Sequence, residues 1–394
     1  AVRKLVLDDG KRLDGRGYDD MRLLTSEVGM IPRTHGSGLF SRGETQGLSL
    51  VTLGTTDDTQ SYDAYTGGPS EKRFMLHYNF PHFSVGETGR IMGPGRREIG
   101  HGALAERSIA PVIPNIEDFP YAVRITAEIM ESNGSTSMAT VCGCSMAMMA
   151  AGIPMKAAVT ASGVGLISEG DDYVILTDIL GDEDFLGDMD LKVAGTEAGI
   201  TAVQMENKIQ GIRLEILEEA LQRARQGRTQ ILKVMTDCIP ESRSELSQHA
   251  PRIQFIKIDP SKIGAVIGPG GRMIREIETT GAKVAVDDDG TITVSAVEAE
   301  AAAKAMAMIE GITADAEIGR EYDGKVKRIM PFGAFVEILP GKEGLLHISE
   351  IDHSHVKEVE DVLSEGEAVR VKVLEIDNSG KIRLSRKALL AVES

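Results

Sequence analysis

Between Gly181 and Lys192 the chain crowds Asp182, Glu183, Asp184, Asp188 and Asp190 together with one lysine, directly after the apolar run Val174 to Leu180. So many like charges beside a buried segment repel one another strongly in a partly dry site. A divalent cation would relieve that repulsion, and hard oxygen ligands suit magnesium or manganese. An arbitrary acidic cluster is more often a solvated loop. Here the apolar flank, the turn glycines Gly181 and Gly187, and Lys192 at the far end favour a built site.

Upstream stands a group with the opposite appetite. Glu131-Ser132-Asn133-Gly134-Ser135-Thr136-Ser137 leads into the small, apolar run Met138 to Ala150, long enough for a buried helix. Ser, Thr, Asn and Gly at that place are N-cap and tight-turn residues. A helix start with free N–H groups, hydroxyls and a glycine for close approach receives anions. Capping needs only one hydroxyl, and three in succession favour a phosphate cradle. The third group is Arg96-Arg97-Glu98-Ile99-Gly100-His101-Gly102, opened by Gly93-Pro94-Gly95. His101 follows Arg97 by one helical turn, so the two share a face, and arginine offers a planar fork to phosphate oxygens. A metal site beside an anion site means phosphoryl chemistry.

Positioning these groups requires a mixed α and β framework. Ala122 to Ile129 alternates as a strand, and Ile212 to Arg225 carries the helical stripe Ile212, Ile216, Leu217, Ala220, Leu221 and Ala224. The polar stretch Pro240 to Glu245 reads as a linker. At 394 residues the chain has room for two or three cores. Cys142, Cys144 and Cys238 make no complete disulfide set and read as free thiols. No signal-peptide pattern opens the chain, and Pro154 and Lys156 interrupt the Met/Ala-rich stretch before it reaches bilayer length. A cytoplasmic protein without a membrane segment is expected.

The three motifs, with Ser41-Arg42-Gly43-Glu44-Thr45-Gln46 and His77-Tyr78-Asn79-Phe80-Pro81, closely resemble the bacterial polynucleotide phosphorylase family in its second RNase-PH-like core domain. Arg12-Leu13-Asp14-Gly15-Arg16 resembles the opening of that domain. The family's first core domain and all-helical linker have no counterpart here, so the likeness is to a C-terminal portion.

Two further parts follow. Near Pro251 the strand Ile253 to Ile258 leads to Gly268-Pro269-Gly270-Gly271, the helical Met273 to Ile277, strands near Ala282–Val286 and Thr291–Val294, and an Ala-rich helix. This order resembles a KH domain, whose G-x-x-G clamp lets single-stranded RNA backbone lie on peptide N–H groups. Pro269 removes one such N–H, and the turn Asp287-Asp288-Asp289 adds no affinity. From about 318 to 388 the strands Tyr322–Ile329, Gly333–Ile338, Ala368–Leu374 and Lys381–Ser385 resemble an S1-type OB-fold barrel. Phe332, Phe335 and His347 match that family's base-stacking positions, with one of the phenylalanines open to a core role. Lys325, Lys327 and Arg328 are placed to meet phosphates. His353-Ser354-His355 reads as a surface turn rather than a metal site.

The expected architecture is therefore α+β and multidomain: an RNase-PH-like βαβ core over 1–245, an α/β KH domain over 251–313 and an all-β OB-fold barrel over 318–388. Net charge runs against nucleic acid. Forty-three basic against sixty acidic residues give −17, and residues 251–394 hold 19 basic and 25 acidic side chains, so no basic arm draws RNA in. Binding must come from local patches and stacking.

The resemblance implies a processive 3′-to-5′ exoribonuclease that uses inorganic phosphate as nucleophile, releases nucleoside diphosphates and runs in reverse as a polymerase. It implies that Asp184 and Asp190 hold Mg²⁺ or Mn²⁺ with Asp188 nearby, and that Lys192 steadies charge on the scissile phosphate. By the same resemblance Thr136 and Ser137 would bind the attacking phosphate, assisted by Arg96, Arg97 and His101; Thr136 stands where relatives often carry serine. Asp182 and Glu183 read as a solvated turn. A hydrolytic nuclease would have no use for the separate anion pocket. The resemblance further implies a homotrimer, or a hexamer as in single-domain relatives, and partners such as an endonuclease and a helicase of RNA-degrading assemblies. The competing expectation is a non-catalytic RNA-binding fragment.

Overall fold

The computed structural model describes residues 2–55, 58–64, 67–90, 92–339, 341–354, 356–377 and 380–390, so His355 lies outside the described residues. The chain forms two compact units, Ala1–Pro251 and Arg252–Ser394.

In the first unit the order is α1 (Val2–Leu7), β1 (Leu24–Val28), β2 (Gly36–Arg42), β3 (Thr45–Gly54), β4 (Gln60–Ala64), β5 (Gly68–Lys72), β6 (Phe74–Asn79), α2 (Arg96–Ile109), β7 (Ala122–Glu131), α3 (Thr136–Ala150), β8 (Thr160–Glu169), β9 (Asp172–Thr177), α4 (Gly181–Leu186), β10 (Met189–Gly195), β11 (Ile200–Asn207) and α5 (Leu214–Cys238). One sheet runs β1-β2-β3-β7-β6, with β6 parallel to β7; a second, antiparallel sheet runs β11-β10-β8-β9. Helix α3 lies between them, against β2 and β3 on one side and β8 on the other. Every one of its residues is buried, as an all-round apolar helix requires. Small residues bring it close: a Cβ on Gly38 would meet the Gly143 carbonyl oxygen at 2.6 Å.

Helix α5 covers the outer face of the second sheet, where Ile216, Ala220 and Ala224 pack on Val164, Leu166, Leu191 and Val193. The apolar stripe expected there is present, though Leu221 faces out and the helix runs on to Cys238. The stretch Pro240–Glu245 does not hang free as a linker. Arg243 N donates to Met149 O at 2.9 Å, tying it to the end of α3, and the units part later, after Pro251.

The second unit begins β12 (Arg252–Lys257), α6 (Ile263–Ile267), α7 (Arg272–Glu278), β13 (Lys283–Val286), β14 (Thr291–Ala296), α8 (Ala299–Thr313). Its sheet, β12-β14-β13, packs on the helices around Val266, Ile277, Ile292, Val294, Ala305 and Ile309. The strands β15 (Glu321–Met330), β16 (Gly333–Leu339), β17 (Lys342–His347), β18 (Ala368–Ile376) and β19 (Ile382–Ser385) close a barrel in the order β15-β16-β17-β19-β18. The α+β organisation expected from the sequence is the one observed, with β17 an additional strand.

Candidate active site and RNA-binding surfaces

Asp190 and Lys192 stand two residues apart on β10 and so point to one face of the sheet. Their neighbours Leu191 and Val193 pack on α5, which turns Asp190 and Lys192 towards α3. Across the sheet they pair with Gly165 and Gly163 of β8, which leave that face open. Ser135 fills the space: a Cβ on Gly163 would lie 2.5 Å from Ser135 Oγ. The acidic strand and the hydroxyl turn therefore abut.

Asp190 is 1% exposed, and Lys192 Nζ approaches its Oδ2 to 2.5 Å as an ion pair. Oδ2 is committed to that ammonium, and Oδ1 is buried without a partner. Burial raises the Asp190 pKa above the usual carboxylate range; Lys192 opposes this, while Asp184 and Glu206 add to it. Asp184 sits half-buried on α4, where Lys208 Nζ reaches its backbone oxygen and, at 3.4 Å, its Oδ1. The acidic stretch thus forms one helical turn and a strand rather than an open loop.

Its other carboxylates are committed elsewhere. Glu183 is no part of a solvated turn: it is buried, pairs with buried Arg12 at 2.5 Å and accepts from Leu180 N at 2.9 Å. Asp182 is exposed, as a solvated turn requires. Asp188 is not free to join a metal, because Arg3 Nη2 at 2.5 Å and both N and Oγ of Ser168 hold it. Burial would raise its pKa, but the bonds from Arg3 and Ser168 and the charge of Arg3 together outweigh that and hold it below the usual range.

Ser135, the residue before α3, has a left-handed backbone (φ 50°) and makes no side-chain capping bond. The helix start therefore keeps its N–H groups free of a side-chain cap. Thr136 Oγ1 meets the Tyr78 hydroxyl at 2.7 Å, whereas Ser137 Oγ is buried without a partner. Gly134 (φ 91°) has no room for a side chain, since a Cβ would stand 2.7 Å from Ile179 O and 2.9 Å from Gly181 N. Asn133 Oδ1 accepts from Gly181 N at 3.2 Å. These contacts lock the hydroxyl turn directly onto the start of the acidic helix.

Helix α2 starts after Gly95, whose N–H donates to Glu98 at 2.7 Å, and Phe80 N donates to the same carboxylate at 3.0 Å. The Arg97 guanidinium lies over the Phe80 ring at 4.3 Å, and the His101 ring meets Tyr78 edge-on at 5.3 Å. Burial pushes the His101 pKa down to about 4, helped by the charges of Lys192 and Arg97 and opposed by Asp184. The imidazole is neutral at pH 7, and its buried Nδ1 lacks a partner. His101, Arg97, Lys192 and Asp184 thus share one electrostatic neighbourhood. Arg96 is exposed and one residue, roughly 100°, around the helix from Arg97, so the structure does not aim it with the other two. Tyr78 is a site residue that no spacing revealed; burial pushes its hydroxyl up to about 12, so it stays protonated beside Thr136.

Behind the site lies a charge network absent from the sequence reading. Asp178, completely buried and left-handed (φ 54°), accepts from Arg22 Nη2 at 2.7 Å, lies 3.1 Å from Arg16 Nη1 and pairs with Arg42 Nε at 2.7 Å. Arg42 also donates to the carbonyls of Gly134 and Ser135, each at 3.1 Å. One carboxylate therefore clamps the strand leading to α4 against the hydroxyl turn. Cys142 and Cys144 are buried free thiols, pushed up to about 12 by burial and so unreactive.

In the second unit the G-x-x-G turn is exposed or half-exposed between α6 and α7. Gly268 (φ 70°) must be glycine, because a Cβ would meet the Met273 backbone N at 2.8 Å. Arg275 braces the turn through Gly270 O at 2.7 Å. On the barrel, Ala334, Val336 and Ile338 point inward, so Phe335 faces out, and Phe332 is 44% exposed. Neither phenylalanine belongs to the core. Their rings meet edge-on at 6.5 Å, with Arg328 over Phe335 at 4.9 Å and exposed His347 paired across from Gly333.

Residues 20–154 match the 3′ exoribonuclease family, domain 1 (RNase PH), residues 253–311 the KH domain, and residues 315–387 the S1 RNA binding domain. The fold and site define an RNase-PH-type core joined to two RNA-binding domains. Over 393 residues, all of this chain, it is 56% identical to the polyribonucleotide nucleotidyltransferase of Bacillus velezensis, covering 55% of that protein. It is 55% identical over 390 residues, 99% of this chain, to the polyribonucleotide nucleotidyltransferase of Bdellovibrio bacteriovorus, covering 56% of it. The resemblance to the polynucleotide phosphorylase family thus holds along the whole chain, which spans about half the length of the curated relatives it matches. The solved structure of rice (Oryza sativa) Rrp46 superposes with a TM-score of 0.46 at 18% identity, covering 57% of this chain and 98% of its own.

Proposed function

We propose that the first unit carries the phosphorolytic site of a 3′-to-5′ exoribonuclease that releases nucleoside diphosphates and polymerises them in reverse. The observation that supports this best is the meeting of the carboxylate strand and the hydroxyl turn within one unit, at Ser135 and Gly163. An anion site beside a carboxylate site serves both ends of one displacement.

Inorganic phosphate would sit on the α3 start, held by Thr136, Ser137 and the exposed Arg97, with Arg96 available from the same helix. One of its oxygens attacks the phosphorus of the terminal linkage, and the bond to the 3′ oxygen of the preceding nucleotide breaks. Lys192 would steady charge on the transferred phosphoryl group. Neutral His101, with an unpartnered ring nitrogen, holds hydrogen-bonding capacity beside the incoming anion.

Among the described residues no group of three or more His, Cys, Asp or Glu side chains forms a metal cage. The donors still fit Mg²⁺ or Mn²⁺, which keeps waters and substrate oxygens and needs only one or two carboxylates: Asp190 has a buried Oδ1 without a partner, and Asp184 lies within its electrostatic reach. Held there, the ion would neutralise charge on the scissile phosphate and the leaving oxygen.

Labelled orthophosphate supplied with a short RNA tests the reading. Label should appear in nucleoside diphosphates; monophosphate products formed without added phosphate would reject phosphorolysis. A size measurement beside that assay tests the proposed homotrimer, and an inactive monomer that still binds RNA would instead support the RNA-binding fragment. Cytoplasmic location and association with an endonuclease and a helicase rest on the family resemblance. Among the described residues no helix is long and apolar enough to cross a membrane.

The KH turn and the barrel aromatics are proposed to hold single-stranded RNA by backbone contact and stacking. Phe332→Ala should weaken oligonucleotide binding by about 1–3 kcal/mol, roughly 5- to 150-fold in Kd. Phe335→Ala should cost less, because Arg328 already covers one ring face. Fluorescence anisotropy with unstructured RNA reads both, and a larger loss in Phe335→Ala would reverse the assignment.

A further inference from the structure

On the α5 face of the second sheet, opposite Asp190 and Lys192, a cavity of about 250 Å³ opens beside the turn from β10 to β11. Its walls include Thr160, Thr196, Glu197, Arg225, Arg228 and Thr229. Arg228 is 7% exposed, donates from Nη1 to Thr196 O at 3.1 Å, and leaves Nε buried without a partner. Among the described residues Arg228 forms no ion pair; burial lowers its pKa, and the neighbouring Arg225 lowers it further. A guanidinium stays protonated at any physiological pH, and a buried charge without a counter-ion is costly.

Arg225 stands three residues earlier on α5 and shares the face of Arg228. The Thr196 hydroxyl accepts from Ala198 N at 3.2 Å, so its own hydrogen is free to be donated. Two guanidinium forks and a hydroxyl thus converge, with exposed Glu197 as the single carboxylate in the wall. Such forks match the oxygens of phosphate.

We propose that this cavity binds a phosphate group, either free orthophosphate or that of a nucleoside phosphate, at a site separate from the one around Asp190. The two sites lie on opposite faces of one sheet, so either can fail without the other. The competing occupant is water, which would bring no negative charge to Arg228.

Methyl NMR of the full chain, labelled at threonine and leucine, distinguishes these outcomes. Titration with orthophosphate, and separately with ADP, at fixed ionic strength should shift the methyl signals of Thr160, Thr196, Thr229 and Leu232 along a saturating curve. Thr136 reports independently on the phosphorolytic site. Arg225→Gln should weaken the cavity response roughly tenfold, the effect of losing one charge-assisted bond, and leave the Thr136 response unchanged. Arg228→Lys keeps the charge but loses the fork, and should weaken it as well; if that variant unfolds, exposed Arg225 decides. Saturation by both ligands makes free phosphate sufficient, and saturation by ADP alone assigns a nucleotide. Linear shifts with both ligands, or an unchanged curve in Arg225→Gln, overturn the proposal.

Discussion

Asp190→Asn should lower the proposed phosphorolysis by roughly a thousandfold or more while leaving RNA affinity within about twofold, since that affinity is proposed to lie on the KH and S1 surfaces. Asparagine is isosteric with aspartate, so the substitution brings little change of shape. What changes is charge. Asp190 is buried, and the Lys192 ammonium pairs with its Oδ2 at 2.5 Å while Oδ1 has no partner. Asparagine presents one weak oxygen donor and leaves the Lys192 ammonium without its partner. Turnover, RNA binding and melting temperature measured together separate the possibilities. Retained turnover would remove Asp190 from the chemistry, and lost binding would show that the substitution had damaged more than the site.

The three motifs at this site were legible because their residue types announce their chemistry at short range. Carboxylates, hydroxyls before a helix and Arg97 with His101 one turn apart need no distant partner to be noticed. What could not be read was which acid does what. Asp182, Glu183 and Asp184 are adjacent, yet one is solvated, one is buried on Arg12 and one faces the site; the deciding partner of Glu183 lies 171 residues away. Asp178 sat inside an apolar run and passed for an ordinary strand residue. The strand β17 was missed because Lys342-Glu343-Gly344-Leu345-Leu346-His347 does not alternate, its burial being set by the closure of the barrel. Phe335 was decidable: inward Ala334, Val336 and Ile338 require an outward residue between them.

Asp178 is the buried carboxylate shared by Arg16, Arg22 and Arg42, and Asp178→Asn should destabilise the first unit by about 3–5 kcal/mol. Asparagine adopts the left-handed backbone of this position as readily as aspartate, so the loss isolates charge rather than strain. It leaves the guanidiniums of Arg22 and Arg42 buried without their shared carboxylate. For a unit of this size the melting point should fall by about 10 °C. Burial alone would raise the Asp178 pKa, but Arg42 and Arg22 outweigh it and hold it at about 2. A depressed native pKa contributes stability that is whole above the unfolded value of about 4 and disappears as pH falls through about 2. About 2 kcal/mol of the gap between wild type and Asp178→Asn should therefore close between pH 4 and pH 2. Urea melts of both proteins at pH 7, 4 and 3 measure that gap. Because Arg42 also holds the carbonyls of Gly134 and Ser135, the variant should lose phosphate affinity before it unfolds. A gap that stayed constant with pH would mean that Asp178 contributes through packing and not as an ion.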